Sequence, residues 1–311
     1  MTNILTLTMN PAVDVFTSID RVIPGHKLRC EPAQTHPGGG GINVARVLHR
    51  LGADVRALYT CGGVTGRILQ ALLAQEQIPA QAINIANETR ESFTVHEGAS
   101  GQDFRFVLPG PALSEAEWQA CLAALSQPQP AKYVIASGSL PPGVPDDVYA
   151  RMATQARAQG SLFVLDTSGA ALSAALQAGI HLVKPSLREL RDLTGLPLVS
   201  ESDWCAAARG LILQGQAHMV ALSLGEDGAL LVTAEQAWRA HALKVDVAST
   251  IGAGDSFLAG LVWALDQQHD LAQALRHAMA AGAAALLTSG TALSQPADIQ
   301  RLLGDVQIQA L

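Results

Sequence analysis

Two glycine-rich turns, each running straight into a helix, restrict this chain more than any other feature. In Ser249-Thr250-Ile251-Gly252-Ala253-Gly254-Asp255-Ser256 the turn ends in an acid, and Phe257-Leu258-Ala259-Gly260-Leu261-Val262-Trp263-Ala264-Leu265 follows as an apolar helix. That order sets unpaired N–H groups and the positive end of a helix dipole beside a carboxylate, an arrangement that receives phosphate. The same residues also admit a plainer reading, a turn in which Asp255 only caps a helix. The second turn is Pro37-Gly38-Gly39-Gly40-Gly41-Ile42-Asn43. Its helix has apolar positions at Ile42, Val44, Ala45, Val47, Leu48 and Leu51 and is closed by Gly52. Four glycines let a backbone approach a ligand closely, unless the run is merely a flexible connector. It is neither a dinucleotide fingerprint, since G-x-G-x-x-G cannot be written across it, nor a P-loop, since no Gly-Lys-Ser/Thr follows.

The rest of the chain repeats strand, turn and helix. Apolar strands are expected at 4–7, 55–59, 133–136, 162–166, 181–185 and 219–223. Helices are expected at 62–75, 115–126 with Ser114 as N-cap, 147–159, after Gly169, at 186–194, 202–214, from 257 and at 271–288. Residues 229–233 and 240–245 read as an antiparallel pair. This alternation predicts an α/β domain with a mostly parallel sheet. Ligands of such sheets lie beyond the carboxyl ends of the strands. That rule lines up Ser137, Gly138, Ser139, Asp166, Lys184, Ser223, Leu224, Gly225 and residues 252–255 on one rim. Two regions, 12–36 and 82–108, depart from the pattern and read as extended, partly polar strands, with Asp14 just after a strand–turn junction.

Composition narrows the function classes. A length of 311 residues with 49% hydrophobic and 15% charged residues implies a large buried core, and the abundance of Ala and Gly implies helices packed close to the sheet. The net charge of −7, with no basic run, argues against nucleic acid as a partner. Lys27, Arg29, Arg90 and Arg105 all fall in the two non-helical regions. There they are either edge-strand charges or a group converging on an anion. Cys30, Cys61, Cys121 and Cys205 form no CxxC pair, so neither a zinc site nor a disulfide framework is expected, and a reducing cytoplasm is. The N-terminus lacks a leader's basic and apolar regions, and no apolar run reaches the roughly 20 residues of a membrane span, so a soluble protein is expected.

The two glycine signatures, in this order and about 210 residues apart, resemble those of the ribokinase-like sugar kinases, the phosphofructokinase B group. Similar segments extend over essentially the whole chain: Leu5-Thr6-Leu7-Thr8-Met9-Asn10-Pro11-Ala12-Val13-Asp14, Gly25-His26-Lys27-Leu28-Arg29, Phe104-Arg105-Phe106-Val107-Leu108-Pro109-Gly110 and Ser137-Gly138-Ser139-Leu140-Pro141-Pro142-Gly143. They resemble the sugar-phosphate branch, nearest to the minor bacterial 6-phosphofructokinases, with the tagatose-6-phosphate kinases and 1-phosphofructokinases as neighbours. The resemblance implies one domain over 1–311, a three-layer α/β sandwich with a small β-sheet lid from about 12–36 and 82–108. The implied reaction is ATP-dependent phosphorylation of a phosphohexose, fructose 6-phosphate at its 1-hydroxyl. The other classes to set against it are a sugar-phosphate binding protein without catalysis and a Rossmann dehydrogenase.

The resemblance also implies roles. Asp255 is the general base, with the N–H groups of Ile251, Gly252, Ala253 and Gly254 around the transferring phosphoryl group. Asp14, Gly39, Gly40, Asn43 and Ser139 lie on the sugar side, and Lys27, Arg90 and Arg105 meet its phosphate. Lys184, Ser186, Ser223, Gly225 and Gly228 line the nucleotide. Mg²⁺ comes with ATP and is touched indirectly by Glu189, and a K⁺ site falls at Ser249, Ile251, Ala285, Thr288 and Gly290. A homodimer through the lid is implied as well. One departure stands out. After Lys184-Pro185 the family usually has Asn-x-x-Glu, and here Ser186-Leu187-Arg188-Glu189 replaces the amide with a hydroxyl.

Overall fold

The computed structural model describes residues 3–126 and 129–311; Met1 and Thr2, part of the stretch read above for a leader, and Gln127 and Pro128 lie outside them. The chain opens with β1 (Ile4–Thr8), β2 (Ala12–Ile19) and β3 (Gln34–Gly38), then α1 (Gly40–Arg50), β4 (Val55–Cys61), α2 (Gly63–Gln75) and three strands, β5 (Ala80–Asn84), β6 (Arg90–Glu97) and β7 (Gln102–Val107). Strict alternation follows: α3 (Glu115–Ala124), β8 (Tyr133–Ser137), α4 (Val148–Ala158), β9 (Leu162–Asp166), α5 (Gly169–Gln177), β10 (Ile180–Val183), α6 (Leu187–Thr194), α7 (Glu201–Leu213) and β11 (Ala217–Ser223). The chain ends with β12 (Ala229–Val232), β13 (Ala237–Ala240), α8 (Ala253–Asp266), α9 (Leu271–Leu286), α10 (Pro296–Leu302) and β14 (Ile308–Ala310).

Ten strands form one sheet in the order β14-β13-β12-β11-β10-β9-β8-β1-β4-β5. From β11 to β5 neighbouring strands run parallel, and β12 to β14 add an antiparallel edge. Both faces are covered, as a parallel sheet requires. One core gathers α1, α2, α8, α9 and α10, the other α3 to α7, so the protein has three layers. On the first face the small side chains act as expected. Ala259, Ala264, Ala274, Ala278, Ala280, Ala281 and Ala284 are fully buried where α8 and α9 meet. Helix limits follow local chemistry. Ser114 caps α3 in a capping box with Glu117, and Ser186 caps α6 in one with Glu189. Among the described residues no helix is long and apolar enough to cross a membrane.

The second sheet has the order β3-β2-β6-β7. Its faces differ. Ala12 pairs with Arg90, and Phe16 pairs with Thr94, which pairs with Arg105. Directly paired residues share a face, so Asp14, Arg90 and Arg105 stand together. The other face carries Phe93 and Phe106, which are 36% and 56% exposed.

Three sequence expectations are corrected. Residues 82–84 belong to β5, which pairs in parallel with β4 on the large sheet, and residues 20–33 form no strand, so the small sheet draws on 12–19, 34–38 and 90–107. The strand expected at 240–245 lies at Ala237–Ala240, where the buried charge of Arg239 breaks the apolar pattern. Its guanidinium binds Glu201 and the carbonyls of Ala229, Ala240 and Asp227. The short β14 carries too little pattern to be read from sequence and was not anticipated.

Candidate active site

The starts of α1 and α8 meet the carboxyl ends of β8, β9 and β10. Gly252 is the N-cap of α8 at φ 75, a left-handed conformation that side chains tolerate poorly, and Leu293 fills the place where its Cβ would stand. The first helical bond runs from Ser256 N to Gly252 O at 2.9 Å, so the N–H groups of Ala253, Gly254 and Asp255 have no carbonyl one turn before them. The N–H of Ile251 instead goes to Ser249 Oγ at 3.2 Å. Asp255 sits in the first turn of α8. Asn43 Nδ2 donates to its Oδ2 at 2.9 Å, and Ser137 Oγ approaches Oδ1 at 3.5 Å. Burial, with the charge of Asp166, pushes the Asp255 carboxyl from 3.8 up to about 7, while the Asn43 bond and Lys184 pull it down. Such a group exchanges protons near neutral pH.

Lys184, at the end of β10, is 7% exposed and pairs with Asp166 Oδ2 at 3.1 Å. Burial lowers its pKa, but Asp166, Asp255 and Glu189 outweigh that and hold it protonated. Its Nζ lies 3.5 Å from where a Cβ on Gly254 would be, so a cation flanks the start of α8. Ser186 and Ser223 bridge neighbouring strand ends. Ser186 Oγ and N both donate to Glu189 Oε2, at 2.9 and 2.7 Å. The hydroxyl that replaces the family's amide is therefore a helix cap, and Glu189 is its partner. Gly225 (φ 61) and Gly228 (φ 98) turn the chain between β11 and β12.

The residues expected on the sugar side gather around Asp14. Gly38 comes so close that a Cβ there would overlap the Asp14 carboxylate. Burial pushes Asp14 up to about 6 against Arg105, Arg90, Arg46 and a hydrogen bond from Thr291. Arg90 donates to Leu108 O and Asn10 O, each at 3.1 Å, and its Nε has no partner among the described residues. Asn10 Nδ2 donates to Ser139 Oγ at 3.1 Å. Gly39 caps α1 and Gly40 begins it, and Asn43 is 5% exposed. Lys27 is exposed on the 20–33 loop, and no hydrogen bond or ion pair among the described residues ties it to this group.

The five residues expected at a cation site come from two adjoining segments. Ala248 N donates to Leu286 O at 2.7 Å, and Thr288 Oγ1 donates to Ala285 O at 3.0 Å. Their carbonyls are the oxygen donors a K⁺ ion takes. Among the described residues no cluster of three His, Cys, Asp or Glu could hold a metal. Mg²⁺, which keeps most of its water and binds through phosphates, suits such a cleft if it arrives with a nucleotide. Sequence reading left four contributors out of the site. Ser137 and Asp166 were flagged only by their place at strand ends, Asn10 by the break after β1, and Thr291 by nothing.

Fold and site define a phosphotransferase with an alcohol group as acceptor. The chain belongs to the pfkB family of carbohydrate kinases, whose model matches residues 7–298. It is 46% identical to ATP-dependent 6-phosphofructokinase isozyme 2 of Mycobacterium tuberculosis over 299 residues, 96% of this chain and 88% of that protein. The crystal structure of phosphofructokinase-2 from Escherichia coli in complex with fructose-6-phosphate superposes with a TM-score of 0.92 at 38% identity, covering 98% of this chain and 99% of that one. A structure of the same enzyme in complex with potassium matches equally, at 0.92, 38%, 98% and 99%. The ribokinase-like sandwich with a large, mostly parallel sheet and a smaller one is the architecture found.

Proposed function

We propose that this protein is an ATP-dependent 6-phosphofructokinase, converting fructose 6-phosphate and ATP to fructose 1,6-bisphosphate and ADP. The observation that carries this reading is one cleft with two ends. At one end, Asp255 lies in the first turn of α8, held by Asn43. At the other, the same face of the small sheet bears Asp14, Arg90 and Arg105. An acceptor that already carries a phosphate meets cations at one end and a proton acceptor at the other.

In the reaction the 1-hydroxyl oxygen attacks the γ-phosphorus, the bond to the β-phosphate bridging oxygen breaks, and the hydroxyl proton passes to Asp255. The N–H groups of Gly252, Ala253 and Gly254 face the charge on the transferring group. Asp14, Asn43, Ser139 and the backbone of Gly39 and Gly40 hold the sugar. Arg90 and Arg105 bind its phosphate, with Lys27 brought in by closure of its loop. Lys184, Ser186, Ser223, Gly225 and Gly228 line the nucleotide. Mg²⁺ arriving with ATP would offset the phosphate charge, and Glu189 would touch it at most through water because its carboxylate is committed to Ser186. Potassium at Ser249, Ile251, Ala285, Thr288 and Gly290 would fix the turn before α8. The small sheet serves as the lid. Its exposed face, with Phe93 and Phe106, supports a homodimer of lid against lid. The compartment is the cytoplasm, in keeping with four unpaired cysteines.

The test is kcat/KM for fructose 6-phosphate, tagatose 6-phosphate, fructose 1-phosphate and unphosphorylated fructose under ATP. Fructose 6-phosphate should lead. A lead for fructose 1-phosphate would make the enzyme a 1-phosphofructokinase. A lead for unphosphorylated fructose would refute the phosphate role of the arginines.

A further inference from the structure

Arg46, on α1, is among the largest fully buried side chains of the described residues. A buried guanidinium is tolerated only when its donors are met, and an apolar side chain of similar size would often serve stability as well. Here the pairing is extensive. Nε and NH2 bind Glu76, the C-cap of α2, at 2.9 and 2.6 Å, and NH1 donates to Pro37 O at 3.1 Å and to Thr291 O at 2.9 Å. Arg50, one turn on, binds Glu76 at 3.1 Å and Ala292 O at 2.7 Å.

The two carbonyls that Arg46 holds come from segments far apart in the chain, and both segments end at Asp14. Pro37 precedes Gly38, where a Cβ would overlap the Asp14 carboxylate. Thr291 lies close enough to Asp14 for its hydroxyl to favour the ionised carboxylate. The same 290–294 stretch places Leu293 against Gly252 at the start of α8, and Gly290 against Phe16 of β2. One cation thus joins the root of the small sheet to the turn that precedes the proposed base. We infer that Arg46, locked by Glu76, is a positioning residue that clamps Pro37 and Thr291 together and so presents the Asp14 carboxylate to the sugar at one fixed place. This rests on the reading of Asp14 as a sugar ligand.

Two variants of the full chain test it, Arg46→Lys, which keeps the charge but not the fork, and Glu76→Gln, which keeps the shape but not the ion pair. KM for fructose 6-phosphate should rise about tenfold, the equivalent of one lost charge-assisted hydrogen bond. KM for ATP and kcat should stay within about a factor of two, the pattern of lost ground-state binding. Hydrogen exchange followed by mass spectrometry should quicken together in the segments 38–41 and 291–294. An unchanged sugar KM in a folded variant, an equal rise in both KM values, or faster exchange in one segment alone overturns the clamp. If Arg46→Lys does not fold, Glu76→Gln decides by the same readouts. If the unaltered protein does not turn over fructose 6-phosphate, the functional reading has failed, and the exchange experiment still judges the clamp.

Discussion

Replacing Asp255 by Asn separates a catalytic base from a helix cap. The folded protein raises this carboxyl from 3.8 to about 7, chiefly by burial. Between those values the folded state keeps a proton that the unfolded chain has released, so stability falls as pH rises through the window. At 1.36 kcal/mol per pH unit, the full effect above pH 7 is on the order of 4 kcal/mol. That is an upper bound, because the cleft is partly open to water. An amide at 255 carries no charge to desolvate and still accepts from Asn43. Asp255→Asn should therefore be as stable as the parent near pH 4 and more stable at pH 8, while kcat falls by about 10²–10⁴-fold. Urea unfolding at several pH values and a coupled ADP-release assay read the two effects. In the parent, kcat/KM should climb with pH through about 7, as the carboxyl loses its proton. A pH-independent loss of stability, or an unchanged kcat, refutes the reasoning.

Three further outcomes are expected. Gly252→Ala forces a Cβ into φ 75 against Leu293, and should cost about 1–2 kcal/mol in urea unfolding from the backbone alone, with a larger fractional loss of kcat. Lys184→Met leaves Asp166 buried without its partner, so it should lower stability by roughly 3 kcal/mol and raise KM for ATP; an unchanged KM for ATP would remove Lys184 from the nucleotide side. Phe106→Asp places a charge on the exposed face of the small sheet; under the proposed lid-to-lid contact, sedimentation should show a dimer for the parent and a monomer for the variant.

The elements of the proposed catalytic site were legible because each is contiguous. Gly252, Asp255 and α8 follow one another in the chain, and so do Gly39, Asn43 and α1. Capping is equally local, and Ser114 before α3 could be read from residues a single turn apart. Failures came where an element's partner decides its state. β5 looks like a strand of the small sheet and joins the large one, since pairing is a tertiary choice. Arg239 hides β13, because a buried cation defeats a hydrophobic pattern. Lys27 shares a sequence region with the small sheet, yet its loop keeps it in solvent.

By itself the sequence determined the α/β alternation, the two glycine turns, the acid at the head of α8 and the cations of the small sheet, since turn chemistry and periodicity act within a few residues. Only the tertiary structure decided that Asn43 bonds Asp255 across 212 residues, that Ser186 takes Glu189 as a capping partner, and that Arg46 binds carbonyls from both walls around Asp14. The reason is physical. A charge enters the interior only where groups remote in sequence supply its hydrogen bonds, and no local pattern records where those groups meet.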